Sequence, residues 1–365
     1  MKHASLGASS AHRWAYCPGS VAASADLPNT SSPFAQEGTT AHDLAELALR
    51  TGSSALDHFE NQEMADFVSV YTEYVGRLSV EADMTMIEQR LDYGDWVPGG
   101  FGTSDAIVLR GDTLHVVDLK YGMGVQVYAE NNPQGMLYAL GAYNEISHAA
   151  DVQRVVITIV QPRLDHISEW EISIPDLLKW AEWISQRAEA TTEPDAPRIA
   201  GASQCKFCLA KHNCGALLKH TTDAMLTEFD DLENLPAPDT LTDDQVGAAL
   251  AAKGLIEGWL NAVQSHVVER LESGQGFDGF KLVAGRSSRR WIDEGVALKE
   301  LSGMIGQDKA MTQPKLISPP QAEKAVGAKR KADIQNLIVK TEGKPTLAPD
   351  SDNRPAVNVE LSDFD

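Results

Sequence analysis

FGTSDAIVLRGDTLHVVDLK, residues 101–120, holds two apolar runs on either side of Gly111-Asp112. β-branched and aliphatic residues over Phe101–Leu109 and Thr113–Leu119 predict two strands, and the Gly-Asp pair predicts a tight turn between them. Strand periodicity puts Asp118 and Lys120 on one face and Leu119 on the other. An acid beside a lysine at the end of an apolar strand calls for a chemical reading, although a surface salt bridge at a hairpin end would leave the same Asp-x-Lys. Asp105, in Gly102-Thr103-Ser104-Asp105, adds a second carboxylate on the neighbouring strand.

Working outward, Met84–Leu91 predicts a strand carrying Glu88. Before it, two helices are predicted over Glu37–Arg50, with His42 and a stripe of Leu44, Leu47 and Ala48, and over residues 61–82, with Phe67, Val70, Tyr71, Tyr74 and Val75. Downstream, Gln126–Ala129 is expected to extend the sheet. Asn132–Glu145 reads as a helix with Gln134 and Tyr138 on one face. Val152–Gln161 is a β-branched run suited to a buried strand, Ile167–Ile174 its hairpin partner, and Pro175–Ala190 a helix. The order predicts an α/β fold with a central mixed sheet flanked by helices. Residues 1–35, with Pro18, Pro28 and Pro33, read as irregular.

The expected organisation is a core over 1–218, an acidic linker over 219–241, a helical and basic region over 242–345 forming an α+β extension, and a disordered tail over 346–365. Thr242 with Gln245 makes a capping-box signature that opens a helix running to Ser273. Residues 276–292 look strand-like and basic.

A net charge of −21 argues against a general nucleic-acid coat, because phosphate binding rests on Lys and Arg. The charge is uneven: Lys281–Pro345 holds 13 Lys/Arg against 7 Asp/Glu. Within it, Arg286, Arg289 and Arg290 beside Trp291 could grip a DNA strand by phosphate contact and stacking, or form a solvated hairpin. The N-terminus has no apolar secretory region and no run of apolar residues is long enough to span a membrane, so a cytoplasmic protein is expected.

Four cysteines are present, Cys17, Cys205, Cys208 and Cys214. A cytosolic chain rarely forms disulfides, and C-x2-C-x5-C is ligand spacing. Spacing alone leaves Zn²⁺ and an iron–sulfur cluster both open, and His212 could replace one thiol. Asp105 and Asp118 are hard oxygen donors suited to Mg²⁺ or Mn²⁺. Phosphodiester cleavage uses such a cation to stabilise phosphate charge and acidify water, and a neighbouring lysine can assist.

Taken in order, the helix with His42, the strand with Glu88, Gly102-x-x-Asp105, Asp118-Leu119-Lys120 and Gln134-x-x-x-Tyr138 resemble the PD-(D/E)XK nuclease superfamily. The resemblance is to its RecB-like branch, which includes the CRISPR-associated exonucleases with four cysteines, and it spans residues 10–216. The chain as a whole resembles a nuclease-like group common in phages and prophages. The resemblance implies a restriction-endonuclease-like core and a metal-dependent DNA exonuclease. In it, His42, Asp105, Asp118 and the Leu119 carbonyl hold Mg²⁺ or Mn²⁺, and Lys120 acts at the water or the phosphate. Glu88, Gln134 and Tyr138 complete the catalytic set.

The same resemblance implies a [4Fe–4S] cluster on Cys17, Cys205, Cys208 and Cys214. It implies single-stranded DNA or duplex ends as partner, a phage recombination or replication protein as a further partner, and the bacterial host cytoplasm as location. One departure is Asp118, where the branch often carries Glu. The competing readings are a catalytically inactive DNA-binding or scaffold protein that kept the fold, and an iron–sulfur redox protein, for which no G-x-G-x-x-G turn is present.

Overall fold

The run Val155–Val160, apolar but for the β-branched Thr158, needs cover on both faces, and the fold supplies it by placing that strand inside a layered sheet. The computed structural model describes residues 4–28, 33–57, 62–228, 242–275, 277, 278 and 280. In chain order the elements are α1 (Ala11–Trp14), α2 (Ser20–Ser24), α3 (Pro33–Thr51), α4 (Gln62–Ser79), β1 (Met84–Asp92), β2 (Phe101–Arg110) and β3 (Thr113–Leu119). There follow α5 (Pro133–Ile146), β4 (Arg154–Gln161), β5 (His166–Ser173), α6 (Ile174–Ala190), α7 (Ala202–Lys206), α8 (Gly215–Glu228) and α9 (Asp243–Glu272).

The five strands form one mixed sheet in sequence order. β1–β2, β2–β3 and β4–β5 are antiparallel, and β3–β4 is parallel, as the α5 crossover between them requires. Period-two alternation divides β3 between two cores. Leu114 and Val116 pack with α5 and α6, while Val117 and Leu119 pack with α3 and α4. The protein is therefore α/β, with helices on both faces of the sheet.

α5 lies close against the sheet because Gly135 has no side chain: a Cβ there would stand 2.5 Å from Ile157 Cγ2. Its N-cap is Asn132, whose side chain accepts from Gln134 N and Gly135 N, with Pro133 in the first turn. The expected capping box of Thr242 and Gln245 opens α9.

Two expectations need correction. Residues 1–35 are not irregular throughout. They include short helical turns, and Leu6, Ala8, Ala11 and Trp14 enter the α5/α6 core, with Trp14 Nε1 donating to Gly7 O at 3.1 Å. Gln126–Ala129 does not join the ladder. Side chains dock it instead: Val127 N donates to Gln161 Oε1 at 2.6 Å and Ala129 N to Ser168 Oγ at 3.0 Å.

The chain divides into two units, Met1–Phe277 and Asp278–Asp365. The expected boundaries at 218 and 241 fall within the first. Residues 229–241, and all of 281–365 including Arg286, Arg289, Arg290 and Trp291, lie outside the described residues. No helix among the described residues is long and apolar enough to cross a membrane.

Candidate active site

The β2–β3 ladder runs only as far as Ala106 opposite Val117. Beyond it Asp105 takes over: its Oδ2 accepts the Leu119 N–H at 2.6 Å, a donor that a continuing ladder would give to a β2 carbonyl. The other oxygen, Oδ1, lies 3.3 Å from His42 Nδ1, which α3 brings across the end of the sheet. Glu88 completes this group. Among the described residues, His42, Glu88 and Asp105 offer ligand atoms that all lie within 4.8 Å of one another.

Glu88 reaches that position through an unusual backbone. Ile87 and Gln89 pair with Ala106 and Ser104, but Glu88 leaves the ladder with φ at 48°. The left-handed conformation costs a residue with a Cβ about 1–2 kcal/mol, and such outliers gather at functional sites. Arg50 braces the kink, donating from Nη2 to Ile87 O at 2.8 Å.

A second set of side chains stands on the α5 side of β3. Asp118 is 2 % exposed. Gln134 Nε2 donates to its Oδ1 at 2.9 Å, and Lys120 Nζ donates to Gln134 Oε1 at 2.9 Å. Lys120 Nζ is also 2.8 Å from Asp118 Oδ2, a buried ion pair. Gln134 Nε2 further donates to Tyr138 OH at 3.3 Å. Gly102 is packed beneath: a Cβ there would stand 2.9 Å from the Tyr138 ring.

All the residues singled out on the core motifs therefore meet at one end of the sheet, but in a different grouping from the one expected. Glu88 stands with His42 and Asp105, whereas Asp118 is engaged by Gln134 and Lys120. Tyr71 was legible only as part of the apolar face of α4. It is wholly buried, its hydroxyl has no partner among the described residues, and the charges of Asp105, Asp118 and Glu88 act on it.

Electrostatics reflect the crowding of acids. Burial raises Glu88 and the charge of Asp105 adds to it, bringing its pKa to about 7. Burial pulls His42 down, but the Asp105 hydrogen bond and the charges of Asp105 and Asp118 outweigh it and hold the imidazole at about 9. Asp118 is raised by burial and by Asp105, against the lowering charge of Lys120. Such a site gathers protons where a cation would otherwise sit. The nitrogen-plus-oxygen donor set of His42, Glu88 and Asp105 fits a divalent ion such as Mg²⁺ or Mn²⁺.

Over residues 3–355 the chain matches a family described as "Protein of unknown function (DUF2800)". The chain belongs to the DUF2800 family. A solved structure described as the crystal structure of SSO0001 shares 16 % identity with this DUF2800 member, at a TM-score of 0.29, over 59 % of this chain and 88 % of that one. A likeness that distant says nothing of the site.

The four cysteines of this DUF2800 chain, free of disulfides, converge on a small cavity behind the N-terminal turns. Ile199 N donates to Cys17 Sγ at 3.2 Å and Gly201 N to Cys205 Sγ at 3.4 Å. Burial raises the Cys17 and Cys205 thiols, and the neighbouring cysteines add to it. Backbone contact fixes the approach: Gly19 N donates to Pro197 O at 3.0 Å, and a Cβ on Gly19 would meet Ala196 O at 2.4 Å. His212 stacks on His266 of α9, with ring centres 4.6 Å apart.

Proposed function

We propose that this chain is a Mg²⁺- or Mn²⁺-dependent deoxyribonuclease of the PD-(D/E)XK type, hydrolysing phosphodiester bonds at DNA ends or in single-stranded DNA. The observation that carries the reading is the Asp118–Lys120 pair. A clamp from Gln134 holds it beside the His42–Glu88–Asp105 group at the end of β2 and β3. A salt bridge that served only stability would not need a buried carboxylate, a strained glutamate and an unpartnered tyrosine around it.

His42, Glu88 and Asp105 would hold the ion, with Asp118 Oδ2 as a further donor. When bound, the ion supplies Lewis acidity toward the phosphate and lowers the pKa of a water. Lys120 provides fixed positive charge where negative charge develops on the phosphate. Gln134 sets the Lys120 and Asp118 side chains, so neither must reorganise during the reaction. A role in phage DNA replication or recombination in the host cytoplasm belongs to the same reading.

A [4Fe–4S] cluster on Cys17, Cys205, Cys208 and Cys214 is the matching proposal for the cysteines. A tetrahedral zinc with bonds of about 2.3 Å would draw its sulfurs to roughly 3.8 Å of one another, and a four-iron cluster spaces its thiolates more widely. Four free thiols lining one cavity suit thiolate ligation, and the resemblance of the core motifs to the four-cysteine exonucleases is what favours the cluster over Zn²⁺.

The test is digestion of end-labelled DNA with Mn²⁺. The parent protein should degrade it, and Asp105→Asn and Asp118→Asn should abolish cleavage while the protein stays folded. Lys120→Ala should lower turnover about 10²- to 10³-fold with DNA binding retained. Normal cleavage by either aspartate variant would remove the site from the mechanism.

A further inference from the structure

Beside Lys120 and Gln134 lies a groove of about 1090 Å³, walled by the N-terminal turns, the 125–134 loop and the cysteine segment. We propose that this groove is the track for a single DNA strand leading to the metal centre, with bases stacked on Phe207 and Tyr16 and phosphates held by Arg13 and Lys206. The proposal rests on the nuclease reading for the identity of the strand, and on the groove itself for its place.

Charge is the first reason. Arg13 and Lys206 line the groove against a single acid, Glu130, while Lys120 at its end is paired with Asp118, in a chain whose net charge is −21. A polyanion approaching this protein meets repulsion over most of the surface and attraction here. The N-cap Asn132 and the first residues of α5, Pro133 and Gln134, also line the groove, adding the positive end of a 14-residue helix.

Exposed rings are the second. Phe207 is 62 % exposed and Tyr16 40 %, and both stand on the groove wall, Tyr16 with its ring 5.5 Å from that of Trp183. Lys206 Nζ lies 5.8 Å from the Phe207 ring centre, and His12 meets that ring edge-on at 6.0 Å. Edge and cation contacts leave ring area open for a base. Only an unpaired base can use it, since bases in a duplex already stack on each other.

Placement is the third. Tyr16 immediately precedes Cys17, and Lys206-Phe207 is the pair enclosed between Cys205 and Cys208. The cysteine cluster thus displays the stacking and phosphate-binding side chains from both of its chain segments. Arg13 is anchored by a hydrogen bond from Nη1 to Ser24 Oγ at 2.9 Å, which leaves other guanidinium N–H groups for a phosphate.

Equilibrium binding of a labelled oligothymidylate to the full-length protein, with Ca²⁺ in place of Mn²⁺, tests the groove without cleavage. Phe207→Ala and Lys206→Ala should each weaken binding, by roughly five- to a hundredfold for the ring. Lys206→Ala should also reduce the salt slope by about 0.7. Phe207→Leu, which keeps apolar bulk without a ring face, should fall with Phe207→Ala, and Lys219→Ala on α8, outside the groove, should match the parent. Cysteine-bound metal content, measured alongside, shows that the segment is intact.

Parent-like affinity in Phe207→Leu and Lys206→Ala overturns the groove. Tighter parent binding of a blunt duplex, or of an RNA oligonucleotide of the same length, overturns the single-stranded DNA assignment. Whether the parent cleaves DNA with Mn²⁺ bears on the proposed function alone, so failure of either idea is visible without the other.

Discussion

Raising the pH should tighten Mn²⁺ binding in two stages, because the ion must displace protons that the site holds when metal-free. His42 stays protonated up to about 9 and Glu88 up to about 7. Only the deprotonated forms are ligands. Between about pH 5.5 and 6.5 both protons must leave, so affinity should rise roughly 50- to 100-fold. Between about pH 7.5 and 8.5 only the His42 proton remains, and the rise should be roughly eightfold. Calorimetric titration in two buffers of different ionisation enthalpy counts the protons directly, and His42→Ala should remove the upper stage. Stability runs the opposite way. Both pKa values are raised by folding. Their contribution is complete below the ordinary values of 6.5 and 4.5, and it is lost as pH climbs through about 9 and about 7. Affinity that stays flat between about pH 7.5 and 8.5, with no proton released, would refute His42 as a ligand.

Three further predictions concern the strained glutamate and the cysteines. Glu88→Gly should stabilise the metal-free protein by about 1 kcal/mol, since glycine adopts the left-handed conformation freely and a crowded acid is removed; Mn²⁺ binding should weaken, and a lower unfolding midpoint in urea would contradict the strain. Cys17→Ser should lose cysteine-bound metal from all four ligands, and protease cleavage near residues 196–199 should quicken. Anaerobically purified parent protein should be coloured and hold roughly four irons, and one zinc per colourless chain would reassign the centre.

Much of the core was legible because period-two patterning is a local property. The Val116, Val117, Asp118, Leu119 alternation sets which side chains meet α5 and which meet α3, and it holds in the structure. Asp118 and Lys120 could be found the same way, and Gln134 by its helical spacing from Tyr138. Glu88 could be found, but not its company, since a left-handed residue in mid-strand leaves no mark in composition. Tyr71 looked like one more apolar-stripe residue, and only the fold shows its hydroxyl among three carboxylates. Gln126–Ala129 has strand-like chemistry, yet side chains of Gln161 and Ser168 satisfy its N–H groups, which no local pattern foretells. The groove was illegible for a different reason: its walls come from residues 9–16, 125–134 and 202–209, and no window contains them together.

Charge explains why the acid centre and the groove must be separate. Glu88, Asp105 and Asp118 face one lysine, so with His42 neutral the centre carries an excess of two negative charges, matching a divalent cation. Without the ion, the raised pKa values of His42, Glu88 and Asp118 show protons performing that neutralisation. A phosphodiester would be repelled by the bare carboxylates, so its affinity has to come from elsewhere. Arg13 and Lys206 can supply it only if they stay clear of the acids, which would otherwise pair with them and cancel the attraction. Mounting them on the cysteine segment and the N-terminal turns, across the groove from β2 and β3, keeps the two signs apart. Lys120, which lines the groove and pairs with Asp118, is where they meet.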